Sequence, residues 1–292
     1  MALYSPDFPT TLHMETAMTL SARKLLVNGV NLNVVIAGEN NPGLPVLLVH
    51  GFPDTHQVWR KQIPALVEAG YRVIAPDTRG CGDSDMPQRV SAYRAETVVA
   101  DLVAVLDALG IERVKLIGHD WGAALCWIMA ARYPERVERY IALSVGHLDS
   151  YARGGLAQKL KGWYVLVFQL RGFAEWLVKA GNWWLFRMFT NFPEEFESHW
   201  RPLLSRPGRL TAGMNYYRAN LSMIFPRGLP HAAMPVYGIY STGDRFLSER
   251  QMVQSVNYVD APFTYRRIEG ANHWLQLDAP QQVNPLLLEF LQ

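Results

Sequence analysis

Three features of the 292-residue sequence predict an α/β fold with a mostly parallel sheet and a late helical insertion. Short apolar runs alternate with amphipathic helical stretches as far as about Ser144, which implies a sheet covered on both faces. The alternation then lapses over residues 148–231, where helical patterns follow one another without a convincing strand. It resumes at Val236–Ser241 and Phe263–Ile268, so the helical stretch interrupts one α/β unit. The expected organisation is therefore a core at 1–147, a helical cap at 148–231 set in after the sixth strand, and the rest of the core at 232–292.

The elements follow from local pattern. Residues 1–20 have weak periodicity and are expected to form a loosely ordered lead-in. RKLLVNGVNLNVVIAG reads as two strands about Asn28-Gly29, a pair suited to a tight hairpin turn. Val46–Val49 is a buried-type strand leading into HGFP, and a helix is expected around Val58–Ala69. Strand Arg72–Ala75 and the turn-rich DTRGCGDSD follow. Between Tyr93 and Leu109, Val98, Val99, Leu102, Val105, Leu106 and Leu109 share one helical face, with Ser91 as a candidate cap and Gly110 beyond the end. Strand Val114–Ile117, helix Trp121–Tyr133 and strand Val137–Leu143 continue the series, and a helix over Pro280–Leu291 closes it.

Composition narrows the function classes. Hydrophobic residues make up 49% and charged residues 18%, ordinary globular material that can bury a full core. A net charge of +2 argues against nucleic acid or an anionic membrane as partner. No apolar run is long enough to span a bilayer, and the N-terminus lacks a signal-peptide pattern. Cys81 and Cys126 have neither metal nor redox spacing, so free thiols and a cytoplasmic location are expected. About a dozen aromatics lie between Trp163 and Trp200. Core packing accounts for many of them, and some are expected to line a cavity between cap and sheet.

The chemistry centres on LIGHDWGAA, residues 116–124. An apolar strand runs into a glycine-flanked turn, and a helix starts at once. Such a turn presents a nucleophile in strained backbone, which requires small neighbours; Gly118, Gly122 and Ala123 supply them around Asp120. The amides of the new helix favour negative charge there, although Asp120 as a simple N-cap would use the same chemistry. Downstream, Asp244 follows a strand in STGDRFLS and His273 follows the last strand in EGANHWLQLD. Nucleophile, acid and histidine in that chain order, at strand ends, form a candidate triad. Asp260 and Asp278 are rival acids that fit worse, one preceding its strand and the other following the histidine. His50 and His119 read as hydrogen-bonded structural residues, and Asp77, Asp83 and Asp85 as turn formers.

With these motifs in place, the sequence resembles the epoxide hydrolases of the α/β-hydrolase fold over nearly the whole chain after about residue 22. HGFPD at 50–54 matches the family's HGxP element through His50, Gly51 and Pro53, and GHDWGA at 118–123 matches its nucleophile elbow. WYVLVFQ and NYYR resemble the segments that carry two cap tyrosines, which implies Tyr164 and Tyr217, with Tyr216 the neighbour easily mistaken for the latter. Asn272 departs from the glycine often found before the histidine. The resemblance implies Asp120 as nucleophile, His273 as base, Asp244 as its orienting acid, and backbone N–H groups of Phe52 and Trp121 as oxyanion donors. It also implies a cis bond at Phe52-Pro53, and substrate contacts from Phe52, Trp121, Trp163 and Phe168. An apolar epoxide would become a vicinal diol without metal or organic cofactor, in a monomer or homodimer. A haloalkane dehalogenase would share the triad and Trp121, and a non-catalytic ligand-binding protein could share the fold; the tyrosine pair favours epoxide opening.

Overall fold

Asn28 and Gly29 both take positive φ, 49° and 75°, and turn the chain between β1 (Leu20–Val27) and β2 (Val30–Ala37). These strands pair antiparallel from Leu20↔Ala37 to Val27↔Val30. The computed structural model describes residues 20–292. The lead-in expected at the N-terminus falls outside the described residues up to position 19.

Six further strands complete the sheet: β3 (Val46–Val49), β4 (Val73–Pro76), β5 (Val114–His119), β6 (Val137–Leu143), β7 (Val236–Ser241) and β8 (Phe263–Ile268). Their order is β1-β2-β4-β3-β5-β6-β7-β8, with every pair from β4 onward parallel. β3, β4, β5 and β7 are buried along their whole length, as the unbroken apolar runs require when both faces are covered. The helices α1 (Ile63–Glu68), α2 (Ala95–Ala108) and α3 (Trp121–Arg132) connect the first parallel strands.

Two local expectations are corrected. The stretch 58–69 is not one helix: a 3-10 turn at His56–Trp59 precedes α1, whose Pro64 occupies the first turn and lacks the N–H to continue a helix from upstream. Ser91 does not cap α2; it lies within a separate 3-10 turn, Val90–Tyr93, and Arg94 stands at the cap. Gly110 beyond α2 does take positive φ.

Among the described residues no strand falls between Leu143 and Val236. The segment holds α4 (Leu148–Ala152), α5 (Gly155–Lys161), α6 (Tyr164–Val167), α7 (Phe173–Thr190), α8 (Pro193–Glu195), α9 (Arg201–Leu204) and α10 (Arg209–Ala219). α7 is broken at Ala180–Trp183, where three successive residues take left-handed φ. Polar contacts tie this cap to loops at the carboxyl ends of the strands. Arg60 pairs with the buried Glu195, Trp200 Nε1 donates to Asp54 at 2.8 Å, and Tyr216 donates to the Arg79 carbonyl at 2.8 Å. α11 (Glu249–Val253), α12 (Leu275–Asp278) and α13 (Pro280–Leu291) complete the chain.

Candidate active site

Asp120 sits at the tip of the turn from β5 to α3 with φ 53° and ψ −123°, a conformation costly for a residue with a Cβ. The surrounding glycines are obligatory. A Cβ on Gly122 would fall on the Val49 carbonyl, one on Gly51 would strike the Asp120 carboxylate, and one on Gly118 would sit 2.7 Å from Ala123 Cα. The Asp120 side chain makes no capping bond to its helix. It turns instead toward the Phe52 amide, which donates to Oδ1 at 2.9 Å. The Phe52-Pro53 peptide is cis, as the resemblance implies.

The three triad candidates converge from β5, β7 and β8, with β6 lying between the first two. His273 Nδ1 is 2.7 Å from Asp244 Oδ2, and its Nε2 is 3.4 Å from Asp120 Oδ2. Asp244 is fixed by the Phe246 and Leu247 amides, which donate to Oδ1 at 2.8 and 2.9 Å. Of the rival acids, Asp260 pairs with His231, and Asp278 accepts from the Asn272 amide. Neither meets His273.

Burial and charge oppose one another here. Burial by itself would push the Asp120 carboxyl up, but the hydrogen bond and charge of His273 outweigh it and hold the group below the usual carboxylate range. Burial would likewise lower His273, yet the adjacent Asp244 and Asp120 carboxylates raise it to about 10. Near neutral pH the site is thus an imidazolium held between two carboxylates. His119 beneath it is pushed down to about 3, by burial first and then by the His273 charge. Its Nε2 meets the His273 carbonyl at 2.9 Å. His50 accepts the Thr78 amide at 3.0 Å and faces the Gly51 carbonyl at 2.9 Å. Both histidines are buried hydrogen-bonding supports of the two motif loops.

Two cavities, with about 710 and 580 Å³ of empty space counting their open mouths, meet at Asp120, Tyr164 and Tyr217. The larger is lined by Phe52, Trp163, Phe168 and His273, and the smaller by Trp121. The rings of Tyr164 and Tyr217 lie 5.8 Å apart, and Tyr217 stands edge-on to Trp121 at 5.1 Å. Burial, reinforced by the Asp120 charge, holds both phenols well above their ordinary pKa, so each keeps its proton. Tyr216 points elsewhere, to the Arg79 carbonyl, which separates the two members of NYYR.

Sequence reasoning missed several neighbours. Leu177, Leu185, Phe186, Phe189 and Phe246 also wall the larger cavity, and Tyr151 adds a hydroxyl-bearing ring to the smaller one. Asp54 is buried under the site, with Oδ1 bonded by Trp200 and Oδ2 by Trp274 at 2.9 Å. Burial raises its carboxyl to about 8 despite the two indole donors. Asp77 is more than a turn former. It accepts from the His56 amide at 2.7 Å and from Asn33 at 2.9 Å, clamping the DTRGCGDSD loop to β2.

Comparison with known proteins places this arrangement. The alpha/beta hydrolase fold family matches residues 45–280. Epoxide hydrolase A of Mycobacterium tuberculosis is 34% identical, over 90% of this chain and 95% of its own. The chain belongs to the epoxide hydrolase family of the α/β-hydrolase fold. Among this family's solved structures, epoxide hydrolase A from Mycobacterium thermoresistibile superposes with a TM-score of 0.80 at 32% identity, over 93% of this chain and 98% of that one. An AB hydrolase superfamily protein of Bacillus subtilis, YfhM, is 33% identical over 91% of this chain and 96% of its own. The likeness thus takes in the core and the cap together.

Proposed function

We propose that the protein hydrolyses apolar epoxides to vicinal diols through a covalent ester on Asp120. The observation that carries this reading is the position of Asp120, where both cavities meet, in a junction it shares with the phenols of Tyr164 and Tyr217 and backed by His273 at 3.4 Å. An epoxide has no carbonyl, so a serine-type acyl transfer is closed to it; a carboxylate oxygen can attack a ring carbon by displacement. The ring C–O bond breaks as the new C–O bond forms, and the departing oxygen takes a proton from Tyr164 or Tyr217. The product of this half-reaction is a hydroxyalkyl ester of Asp120 and one tyrosinate.

Ester formation removes the negative charge of Asp120. One of the two carboxylates that hold His273 protonated is thereby lost, and its proton affinity falls. The imidazolium then returns a proton to the tyrosinate and becomes the base for hydrolysis. Neutral His273 takes a proton from water as the water oxygen attacks Asp120 Cγ, and Asp244 steadies the resulting imidazolium. The amide of Phe52 lies 2.9 Å from Oδ1, and the Trp121 amide also favours charge on this carboxyl. The two are the oxyanion donors of the tetrahedral intermediate; losing such a donor costs about 3–4 kcal/mol. On collapse the departing alkoxide takes the proton of the newly added hydroxyl, which releases the diol, restores the carboxylate with one oxygen replaced by that of water, and leaves His273 protonated as at the start.

Dehalogenation by the same carboxylate would expel halide, which needs no proton, and the two phenols would have no task. Incubating the enzyme with an aryl or alkyl epoxide and separately with a chloroalkane decides between them. Diol formation that Asp120→Ala abolishes, with no halide release, is the expected result; halide release without diol would overturn the reading.

A further inference from the structure

The modest charge of the whole chain, +2, conceals a strong asymmetry in the cap. Nine of the sixteen large apolar side chains left exposed among the described residues fall between positions 156 and 188. Trp176 and Trp184 are 62% and 63% exposed, and Leu160 is 65% exposed. Within the same stretch stand five basic residues and one acid, Glu175, which is occupied by Arg218 at 2.8 Å. Lys159 and Lys179 are exposed, and neither forms an ion pair among the described residues. Trp163 packs on Phe189 with ring centroids 5.7 Å apart, so the start of α6 adjoins the end of α7.

Nine exposed large apolar side chains concentrated in one helical segment, whose ends meet at Trp163 and Phe189, mark a candidate interaction surface. The composition discriminates among partners. Tryptophan prefers the boundary between lipid and water, where its ring is apolar and its N–H is wet. Lysine and arginine beside such rings reach anionic headgroups. Arg187 is paired with Glu197 at 3.5 Å, but a second copy placed on the same face by a two-fold axis would set the remaining basic residues of 156–188 against each other, with no free acid within that stretch to answer them. We propose that this cap face docks peripherally on a bilayer containing anionic lipid. Among the described residues no helix is long and apolar enough to cross a membrane, so the contact is superficial.

The placement has a consequence for substrate entry. Trp163 lines the larger cavity and is itself 48% exposed, so the cavity and the docking face share a wall. An apolar molecule dissolved in the bilayer would reach Asp120 without a passage through water. The docking itself does not depend on the reaction assigned above, and it is read without any substrate.

The test is co-sedimentation of the full chain with large unilamellar vesicles, either pure phosphatidylcholine or containing phosphatidylglycerol. At low salt the bound fraction should be at least tenfold greater on the phosphatidylglycerol vesicles and should fall as salt is raised. Trp176→Ser with Trp184→Ser should reduce binding at least tenfold while circular dichroism stays that of the parent. Lys159→Glu with Lys179→Glu should weaken binding to the anionic vesicles and leave the little seen on neutral ones unchanged. Absence of binding, equal binding to both vesicle types, or full binding by both double variants would overturn the proposal. So would a dimer in sedimentation equilibrium that the tryptophan substitutions dissociate, since the face would then belong to a second copy.

Discussion

His273 Nε2 stands 3.4 Å from Asp120 Oδ2, while Nδ1 of the same ring is held 2.7 Å from Asp244. On the proposed mechanism the imidazole is suspended between a carboxylate that stays charged throughout the cycle and one that is neutral while the ester lasts. Its proton affinity must change when the ester forms. In the resting enzyme the Asp244 and Asp120 carboxylates raise His273 to about 10. In the alkyl-enzyme the midpoint for ester hydrolysis, which needs the neutral ring, should lie well below that value. Stopped-flow measurement of ester decay against pH, beside direct titration of His273 in the free enzyme, provides the comparison. Coincident midpoints would show that Asp120 does not control the base.

Stability should decline as pH rises from neutral toward 10. His273 has a folded pKa above its unfolded value, so its contribution is complete below about 6.5 and is lost as pH passes through about 10. Asp54 works in the same direction, because its folded pKa of about 8 also lies above the unfolded one. Its contribution is complete below about 3.9 and is gone once pH has risen through about 8. Asp54→Asn should flatten the lower part of this decline, while lowering stability by about 1–3 kcal/mol, because the amide has one acceptor oxygen and leaves one of the two indole N–H groups unpaired. Thermal melts between pH 6 and 10 read both effects; an unchanged slope in the variant would mean that Asp54 does not titrate there.

The proposed mechanism gives the two phenols overlapping roles as proton donors, since both line the junction that holds Asp120. Tyr164→Phe or Tyr217→Phe alone should slow ester formation about 10²-fold, within the usual range for a single general acid. Both together should slow it by at least a further 10-fold, with ester decay much less affected. Rapid-quench measurement of the adduct separates the steps. Unaltered adduct formation in the double variant would remove the pair from the mechanism.

How far these features could be read from sequence depends on the distance over which each is encoded. Strands Val137–Leu143, Val236–Ser241 and Phe263–Ile268 and helix Pro280–Leu291 match expectation to the residue, because local apolar runs and breakers define them. Pro64 and the turn at Val90–Tyr93 shifted helix starts by a few residues, where capping competes with 3-10 geometry. The strained turn at Asp120 was legible because sterics leave so little choice around it. Asp54 was not, since its meaning depends on Trp200 and Trp274, far along the chain. Nor did periodicity distinguish the cavity walls Leu177 and Phe189 from their exposed neighbours Trp176 and Met188. Both sets are apolar, and only the packed cap assigns one to the inside and the other to the surface.

The covalent route is tested most directly by a single turnover in heavy-oxygen water, with enzyme in excess over an apolar epoxide. Attack by Asp120 predicts that the first diol carries an unlabelled oxygen from the carboxylate, and that the label appears in the Asp120 peptide by mass spectrometry. Label in the first-turnover diol with none in Asp120 would contradict the account.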